Sequence, residues 1–174
     1  LGPTEFDQVA RPAAGVFWVG QRVGYSKVIE VGPGGESFVA RAGHGWQHEI
    51  AGTQLGADEP NERRRFVLAA RDATAIDDFA SDIRFKPTQL LRSHGIASGM
   101  HVRIRSGEGV YGILGAYSRE ARKFTRDDLS FLTSVSNVIG AALLRRRAEE
   151  RAAHLAQFDG LTDLEGTPVF TNSL

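Results

Sequence analysis

The chain has 174 residues and no cysteine, and its 21 lysine and arginine residues balance 21 aspartate and glutamate residues. The absence of cysteine excludes disulfide bonds, thiolate metal sites, a catalytic cysteine and a thioether-linked chromophore. A net charge of zero argues against a polyanion such as nucleic acid as partner. No apolar run approaches the roughly 20 residues that span a bilayer, so we expect no membrane segment and a cytoplasmic domain. Because the chain begins with Leu1, we expect it to be part of a longer protein.

The first half of the chain predicts a helix and a hairpin. Helical spacing of apolar residues, with Pro12 suited to a first turn, predicts a helix over residues 12–22. Alternating apolar and polar residues predict strands over 25–31 and 37–42, and the glycine-rich turn between them makes the pair antiparallel. Residues 43–65 lose all periodicity and predict a long loop.

The second half predicts several short elements. A helix is expected over residues 62–71, with Phe66, Leu68 or Ala69, and Ala70 facing inward. Residues 73–79 are interpreted as a strand and 86–94 as a helix closed by a glycine. Residues 98–105 and 110–117 are predicted to form a second hairpin, placed at the centre of the sheet.

The last predicted element is a long helix over residues 125–157. Thr125 and Asp128 have the spacing of a capping box at its start. Apolar residues then recur at intervals of three and four, namely Leu129, Leu132, Val135, Ile139 and Leu143. After Leu144 the helix becomes polar, and it is expected to extend beyond its own domain. The apolar stripe is predicted to form a parallel homodimer through which this helix transmits a signal.

This order of elements, together with two motifs, resembles the GAF family. FASDIRFKPTQLLRSHGIASGMHVRI (79–104) resembles the acidic segment, short helix and central strand of a GAF domain. GVYGILGAYSREARKFTRDDLSFLTSVSNVIGAAL (109–143) resembles its last strand and last helix. The resemblance implies an α+β fold, related to PAS domains, with one antiparallel sheet, helices packed on one face and a long C-terminal helix. It also implies a non-catalytic sensory domain of a bacterial signalling protein, whose ligand it leaves open.

The C-terminal residues carry a second resemblance. RRRAEERAAHLAQFDGLTDL (145–164) is similar to the linker and opening of a GGDEF diguanylate cyclase domain, although Glu165 departs from that pattern. An alternative is that the tail resembles the start of a PAS domain. We therefore divide the chain into a GAF sensory domain (1–145), a helical linker (146–158) and the truncated start of an output domain (159–174).

The resemblance also indicates where a ligand would bind. In this family one face of the central sheet lines the ligand pocket and an irregular loop covers it. His101 and Arg103, with Arg105, would then form a cationic floor for an acidic ligand; a solvated face is the alternative. Trp46, Phe66 and Tyr25 are the candidate pocket walls, with plain packing as the alternative.

Other chemistry-bearing residues are interpreted as structural. His44 and His48 have the spacing of a helical metal pair, but their segment is rich in glycine, so no metal site is expected. The arginine runs 63–65 and 145–147 are predicted to be solvated, and the acidic residues near Asp77 are predicted to lie at a strand end. No catalytic residues are predicted. A covalent bilin is excluded, haem is not expected, and the cofactor is unknown.

These observations lead to one main functional hypothesis and two alternatives. The main hypothesis is a small-molecule sensor that controls an attached cyclic-di-GMP (GGDEF) domain through its C-terminal helix. One alternative is a ligand-free dimerisation and spacing module with a filled pocket. The other is the input domain of a sensor histidine kinase with a following PAS domain.

Overall fold

The computed structural model describes residues 23–56, 62–107 and 109–162, with side chains described as far as residue 157. Within these ranges six strands form one antiparallel sheet in the order β3–β2–β1–β6–β5–β4. The strands are β1 (Tyr25–Val31), β2 (Phe38–His44), β3 (Gln54–Leu55), β4 (Thr74–Ile76), β5 (Ser98–Ser106) and β6 (Gly109–Ser118). The helices of the same ranges are α1 (Glu62–Ala69), α2 (Gln89–Ser93) and α3 (Arg126–Thr162), and a 3-10 turn spans Pro33–Gly35.

The predicted α+β class with a single antiparallel sheet is confirmed. Both hairpins form as expected, but β1 and β6 are the two central strands, so the second hairpin is only partly central. Part of the predicted loop over 43–65 is the short edge strand β3. The helix predicted over 12–22 lies outside the described residues.

One face of the sheet is covered by α3. Strand β5 alternates as its sequence predicts, so that Met100, Val102 and Ile104 lie on this face and are at most 4% exposed. They pack in one apolar cluster with a row of α3 residues at helical spacing, namely Leu132, Val135, Ile139 and Leu143. Gly140 allows the close approach, because a Cβ there would overlap the carbonyl oxygen of Arg105 on β5.

The opposite face carries the two shorter helices over two separate apolar clusters. At one end of the strands, Tyr25 and Tyr117 pack with Leu91 of α2. At the other end, Ile29 and Ile113 pack with residues that include Val67 of α1. Helices therefore lie on both faces of the sheet, which corrects the expectation of helices on one face.

Helix α3 begins with the predicted capping box. The backbone N–H of Thr125 donates to Asp128 Oδ2 at 2.7 Å, and the N–H of Asp128 donates to Thr125 Oγ1 at 3.2 Å. These bonds satisfy two of the backbone donors that a helix start leaves unpaired. The helix continues past residue 158, the predicted end of the linker, to Thr162.

Helix α1 forms where it is predicted, but the residues that it turns toward the sheet are not the predicted ones. Its buried residues are Arg63, Arg64 and Val67, whereas Phe66 is 42% exposed and Ala69 is exposed. The guanidinium carbons of Arg63 and Arg64 lie 5.5 and 5.2 Å from the ring centroids of Phe79 and Phe38. The aliphatic parts of Arg63 and Arg64 occupy the space that apolar residues were expected to fill. Their burial is tolerated because both guanidinium groups lie over aromatic rings.

Candidate functional site: a cationic and aromatic interior on the sheet

One cross-strand row of the sheet places polar residues beneath α1. Lys27 of β1 pairs with Gly115 of β6, and Gly115 pairs in turn with His101 of β5. The row continues to Gly43 of β2 beside Lys27 and to Thr74 of β4 beside His101. It runs between the two apolar clusters of this face, since its neighbours on β1 are Tyr25 and Ile29.

Two glycines in this row make room for aromatic rings on the sheet. A Cβ at Gly115 would overlap the hydroxyl of Tyr117, so the Tyr117 ring extends across the backbone between Lys27 and His101. A Cβ at Gly43 would lie 2.7 Å from Trp46 Cδ1, so the indole extends across β2 in the same way. In this row glycine is required for space rather than for a special backbone conformation.

Trp46 is held over the row by a hydrogen bond and by other rings. Its Nε1 donates to the carbonyl oxygen of Ser26 at 2.8 Å. Its ring centroid lies 5.2 Å from that of Tyr25, 5.1 Å from that of His94 and 5.8 Å from that of Tyr117. These distances and the tilted or edge-on angles are those of favourable aromatic pairs.

Lys27 is enclosed by these rings. Its side chain is 1% exposed, and its Nζ lies 5.4 Å from the Trp46 centroid and 5.2 Å from the Tyr117 centroid. A desolvated ammonium between two aromatic faces gains about 2 kcal/mol or more from the ring quadrupoles. Arg63 brings a second buried positive charge, 7% exposed, to this face. We call Lys27, Trp46, Arg63, His101 and Tyr117 the inner site.

His101 is the chemically unusual member of the inner site. It is 2% exposed, its ring centroid lies 5.2 Å from that of Tyr117, and neither ring nitrogen has a hydrogen-bond partner. Burial lowers the pKa of His101 well below its ordinary value, and the charges of Arg63 and Lys27 lower this pKa further. The imidazole is therefore neutral at pH 7, with one N–H donor and one acceptor nitrogen.

Tyr117 stays protonated in the same surroundings. Burial raises the pKa of its hydroxyl to about 12, although Arg63 and Arg64 act in the opposite direction. The phenol therefore offers a neutral hydroxyl above Gly115 at any physiological pH.

A surface depression of about 470 Å³ adjoins the inner site. It is lined by Gly24, Tyr25, Gly45, Ser118, Arg119 and Glu120. The guanidinium carbon of Arg119 lies 5.2 Å from the Tyr25 centroid, and Arg119 Nε donates to the carbonyl oxygen of His94 at 3.0 Å. Because Tyr25 also contacts Trp46, one ring separates the depression from the interior.

The structure brings three of the five candidate pocket residues together, Tyr25, Trp46 and His101. Phe66 is not among them, because it is turned outward on α1 and contacts Phe85 at 5.2 Å. The residue of α1 that is buried beside these rings is Arg63, not the candidate wall Phe66.

Two further residues of the predicted cationic floor lie away from the inner site. Arg103 is half-buried, and its Nη1 donates to the carbonyl oxygen of Leu68 at 3.5 Å. Arg105 is exposed near the end of β5. The buried cations of this face are instead Lys27, Arg63 and Arg64.

Sequence reasoning missed Lys27 and Tyr117 as well as the burial of the two arginines. The alternation of β1 contained one usable signal, because Lys27 lies between Tyr25 and Ile29 on the face opposite Val28. The predicted solvation of the arginine run 63–65 is wrong for Arg63 and Arg64, since aromatic rings receive both guanidinium groups.

The apolar stripe of α3 also has a different role from the one predicted. Leu132, Val135, Ile139 and Leu143 are at most 9% exposed and belong to the domain's own core, and Leu129 packs against it. A dimer cannot use this stripe without opening the core, which corrects the expectation that these residues form the dimer surface.

The remaining candidate residues have local roles. Asp77 accepts the backbone N–H of Phe124 at 3.2 Å, and Asp82 accepts the backbone N–H of Arg84 at 2.8 Å. His44 and His48 are exposed, and the described ranges contain no group of three or more potential metal ligands. In those ranges no helix has both the length and the apolar character needed to cross a membrane.

Comparison with known sequences decides the family. A sequence model of the GAF domain matches residues 9–143. The chain belongs to the GAF family. GAF domains are in general regulatory sensory modules of signalling proteins. A search of curated proteins gave no match.

Solved structures of signalling proteins share the fold at low sequence identity. GAF3 of Slr1393 from Synechocystis sp. PCC6803, in its photoproduct state, has a TM-score of 0.62 and 17% identity, covering 84% of this chain and 98% of that chain. A methyl-accepting chemotaxis protein has a TM-score of 0.67 and 18% identity, covering 81% and 90%. The GAF domain of the Acinetobacter phosphoenolpyruvate-protein phosphotransferase has a TM-score of 0.62 and 14% identity, covering 84% and 85%. These likenesses establish the fold of this GAF domain and leave its ligand open.

Proposed function

We propose that this GAF domain binds a small molecule at the inner site and controls, through α3, a GGDEF output domain that follows it in the chain. The observation that carries the proposal is the position of β5. His101 points from β5 into the inner site, while Met100 and Val102 on the other face of the same strand pack in the cluster that holds α3. A shift of β5 therefore reaches α3 directly.

The mechanism needs two states that the ligand distinguishes. A ligand changes the output only if it binds one arrangement of β5 and α3 more tightly than the other. We expect the segment after β2 to differ between the two states. Its Trp46 covers Lys27, whereas its residues His44 and Gln47 are exposed and are not held in the core. In this proposal the domain itself catalyses no reaction.

The identity of the output domain rests on the resemblance of residues 145–164 to the opening of a GGDEF domain. Helix α3 continues as one helix through most of this segment, which is what a linker of this type requires. A GGDEF domain converts two GTP molecules into cyclic-di-GMP and two pyrophosphates. Because GTP is a cytoplasmic nucleotide, the proposal also implies that this domain lies in the cytoplasm.

We also propose a parallel homodimer, formed along the exposed side of α3. Val138 and Leu155 are 65% and 66% exposed, and the exposed residues Ala141, Arg145, Ala148 and Ala152 lie between them at intervals of three and four. This seven-residue repeat is typical of a helix that pairs with a second copy. It lies on a different side of α3 from the buried stripe.

The proposal is tested with the full-length protein and insertions into the exposed part of α3. Duplicating residues 150–156 adds seven residues and preserves the heptad phase, whereas adding only four residues rotates everything that follows. We expect cyclic-di-GMP synthesis from GTP to stay regulated after the seven-residue insertion and to lose regulation after the four-residue insertion. A full-length protein that makes no cyclic-di-GMP and instead phosphorylates itself on histidine with ATP would support the histidine kinase alternative.

The ligand-free spacer is the second candidate function. It is favoured by the closure of the inner site, where Lys27 is 1%, His101 2% and Tyr117 1% exposed. Two bulky residues that could also fill the pocket do not do so, because Phe66 is exposed and Met100 lies on the α3 face. Native mass spectrometry with an absorbance scan of the purified chain separates the two functions. A compound that co-purifies with the chain supports the sensor. A dimer without a bound compound, together with a full-length protein whose cyclic-di-GMP synthesis does not respond to cell extracts, supports the spacer.

A further inference from the structure

The unpaired imidazole of His101 is the starting observation. Both ring nitrogens are buried without a hydrogen-bond partner, in a side chain that is 2% exposed. Buried polar side chains in native proteins are almost always hydrogen-bonded, so an exception of this kind points to a group that completes the site. Either a trapped water or a ligand atom would satisfy the ring.

The charges around His101 decide which kind of group that is. Lys27 lies in the same cross-strand row, one strand removed, and the charges of Lys27 and Arg63 are the electrostatic influences on the His101 ring. Both are positive and come from different elements, β1 and α1. A metal cation would be repelled by this arrangement, whereas an oxyanion would be attracted by both groups.

We infer that the inner site binds an oxyanion, a carboxylate or phosphate group of the ligand, held by Lys27, Arg63 and His101, with His101 taking up a proton as the anion binds. This rests on the proposed function only in taking the inner site as the sensing site. Lys27 and Arg63 supply ammonium and guanidinium donors, and His101 supplies an imidazolium N–H. Charge-assisted hydrogen bonds of this type are the strong ones in a site that excludes water.

Proton uptake follows from the change of charge beside the imidazole. Without an anion, burial and two positive neighbours keep His101 neutral. A bound negative charge favours the imidazolium, so the affinity rises as the pH falls, by up to about tenfold per pH unit while one proton is taken up.

The other groups around the imidazole do not titrate in this range or carry no charge. They are Tyr117 on β6, whose pKa is raised to about 12, Thr74 on β4, and Arg64 beside Arg63 on α1.

The test uses the 174-residue chain labelled with ¹⁵N at histidine, with sodium acetate and inorganic phosphate as separate probes. We expect acetate, phosphate or both to move the His101 nitrogen signals toward those of an imidazolium at pH 6.5, with sodium chloride of equal ionic strength as control. Response to only one probe assigns the anion as carboxylate or phosphate. If neither probe changes the His101 signals, the inference is wrong and a buried water is the better explanation.

Variants of the two partners give a second, independent readout by calorimetry. Lys27→Met should weaken binding by about tenfold or more, which is the loss of one strong charge contact. His101→Gln should remove the pH dependence of acetate affinity between pH 6 and 8, where acetate itself is fully ionised. The matched controls Lys86→Met and His44→Gln replace exposed residues of the same types and should change neither property. Equal effects in the variants and their controls would overturn the inference, and the spectra of the unaltered chain decide it if a variant does not fold.

Failure of this inference differs from failure of the proposed function. If a neutral compound co-purifies and alters cyclic-di-GMP synthesis, while neither anion changes the His101 signals, the sensor function is supported and the anion inference is rejected. If the probes bind but no ligand changes cyclic-di-GMP synthesis, the anion inference is kept and the proposed sensor function is rejected.

Discussion

Lys27 and His101 lie on opposite sides of Gly115 in a single cross-strand row, and the hydroxyl of Tyr117 occupies the space above that glycine. Two titratable side chains are thereby buried on one face of a sheet whose other face packs an apolar cluster against α3. The arrangement costs stability unless each group is paired, because buried polar atoms lose their hydrogen bonds to water. Such costs are characteristic of sites retained for binding.

The first prediction concerns the pH dependence of stability. The pKa of His101 is lowered in the folded chain, so the unfolded chain binds more protons below about pH 6.5. The free energy of unfolding should therefore fall as the pH falls below about 6.5, by at most about 1.4 kcal/mol per pH unit from this group. His101→Gln should remove this part of the dependence in urea titrations at several pH values. His44→Gln, at an exposed position, should keep it.

The second prediction concerns the contact between α3 and β5. In an exposed helix, replacing glycine by alanine stabilises by about 1 kcal/mol. Gly140→Ala should do the opposite and destabilise by about 1–3 kcal/mol, because the new methyl group would overlap the Arg105 carbonyl oxygen. Asn137→Ala, at an exposed position on the same helix, is the matched control and should be neutral or slightly stabilising. A stabilising Gly140→Ala in thermal unfolding would show that α3 does not approach β5 this closely.

The third prediction concerns the start of α3. Thr125→Ala removes the acceptor for the Asp128 backbone N–H and should lower the free energy of unfolding by about 1 kcal/mol. Asp128→Ala should cost more, because Asp128 also accepts from Thr125 and lies 3.5 Å from Arg122 Nη2. Ser134→Ala, which alters an exposed hydroxyl bonded within the helix, should stay within about 0.5 kcal/mol of the unaltered chain. Equal effects at all three positions would argue against the cap.

The fourth prediction separates the two sides of α3. Leu143 is 3% exposed in the core, so Leu143→Asp should unfold the domain or lower its melting temperature strongly. Leu155 is 66% exposed, so Leu155→Asp should leave the melting temperature nearly unchanged while converting the proposed dimer to monomer. Sedimentation and circular dichroism of both variants provide the check. A monomeric unaltered chain, or a dimer that survives Leu155→Asp, would contradict the proposed dimer surface.

Most of the fold could be predicted from local patterns. The alternation of β5, the capping box at Thr125 and the stripe of α3 each depend on neighbours a few residues away, and all three are present. What the stripe packs against could not be predicted, because a helix that covers its own sheet and one that pairs with a copy show the same periodicity.

The candidate site was less predictable, for a physical reason. His101 and Trp46 could be placed near a pocket from the family resemblance, but the burial of Lys27 and Arg63 depends on rings distant in sequence. A lysine or arginine in a sequence is assigned to solvent by default. The glycines at 43 and 115 leave the space in which the Trp46 and Tyr117 rings lie beside Lys27.

Beyond Leu143, the last core residue of α3, the helix runs on to Thr162 without a break. At 1.5 Å per residue this part forms an arm about 28 Å long. A tilt of about 5° where the helix leaves the sheet would displace the far end of a straight arm of that length by about 2 Å. Helix α3 thus resembles a lever, with a short end packed in the core and a long end outside it. In the proposed dimer, a movement too small to disturb the core would change the separation of the two far ends by several ångströms.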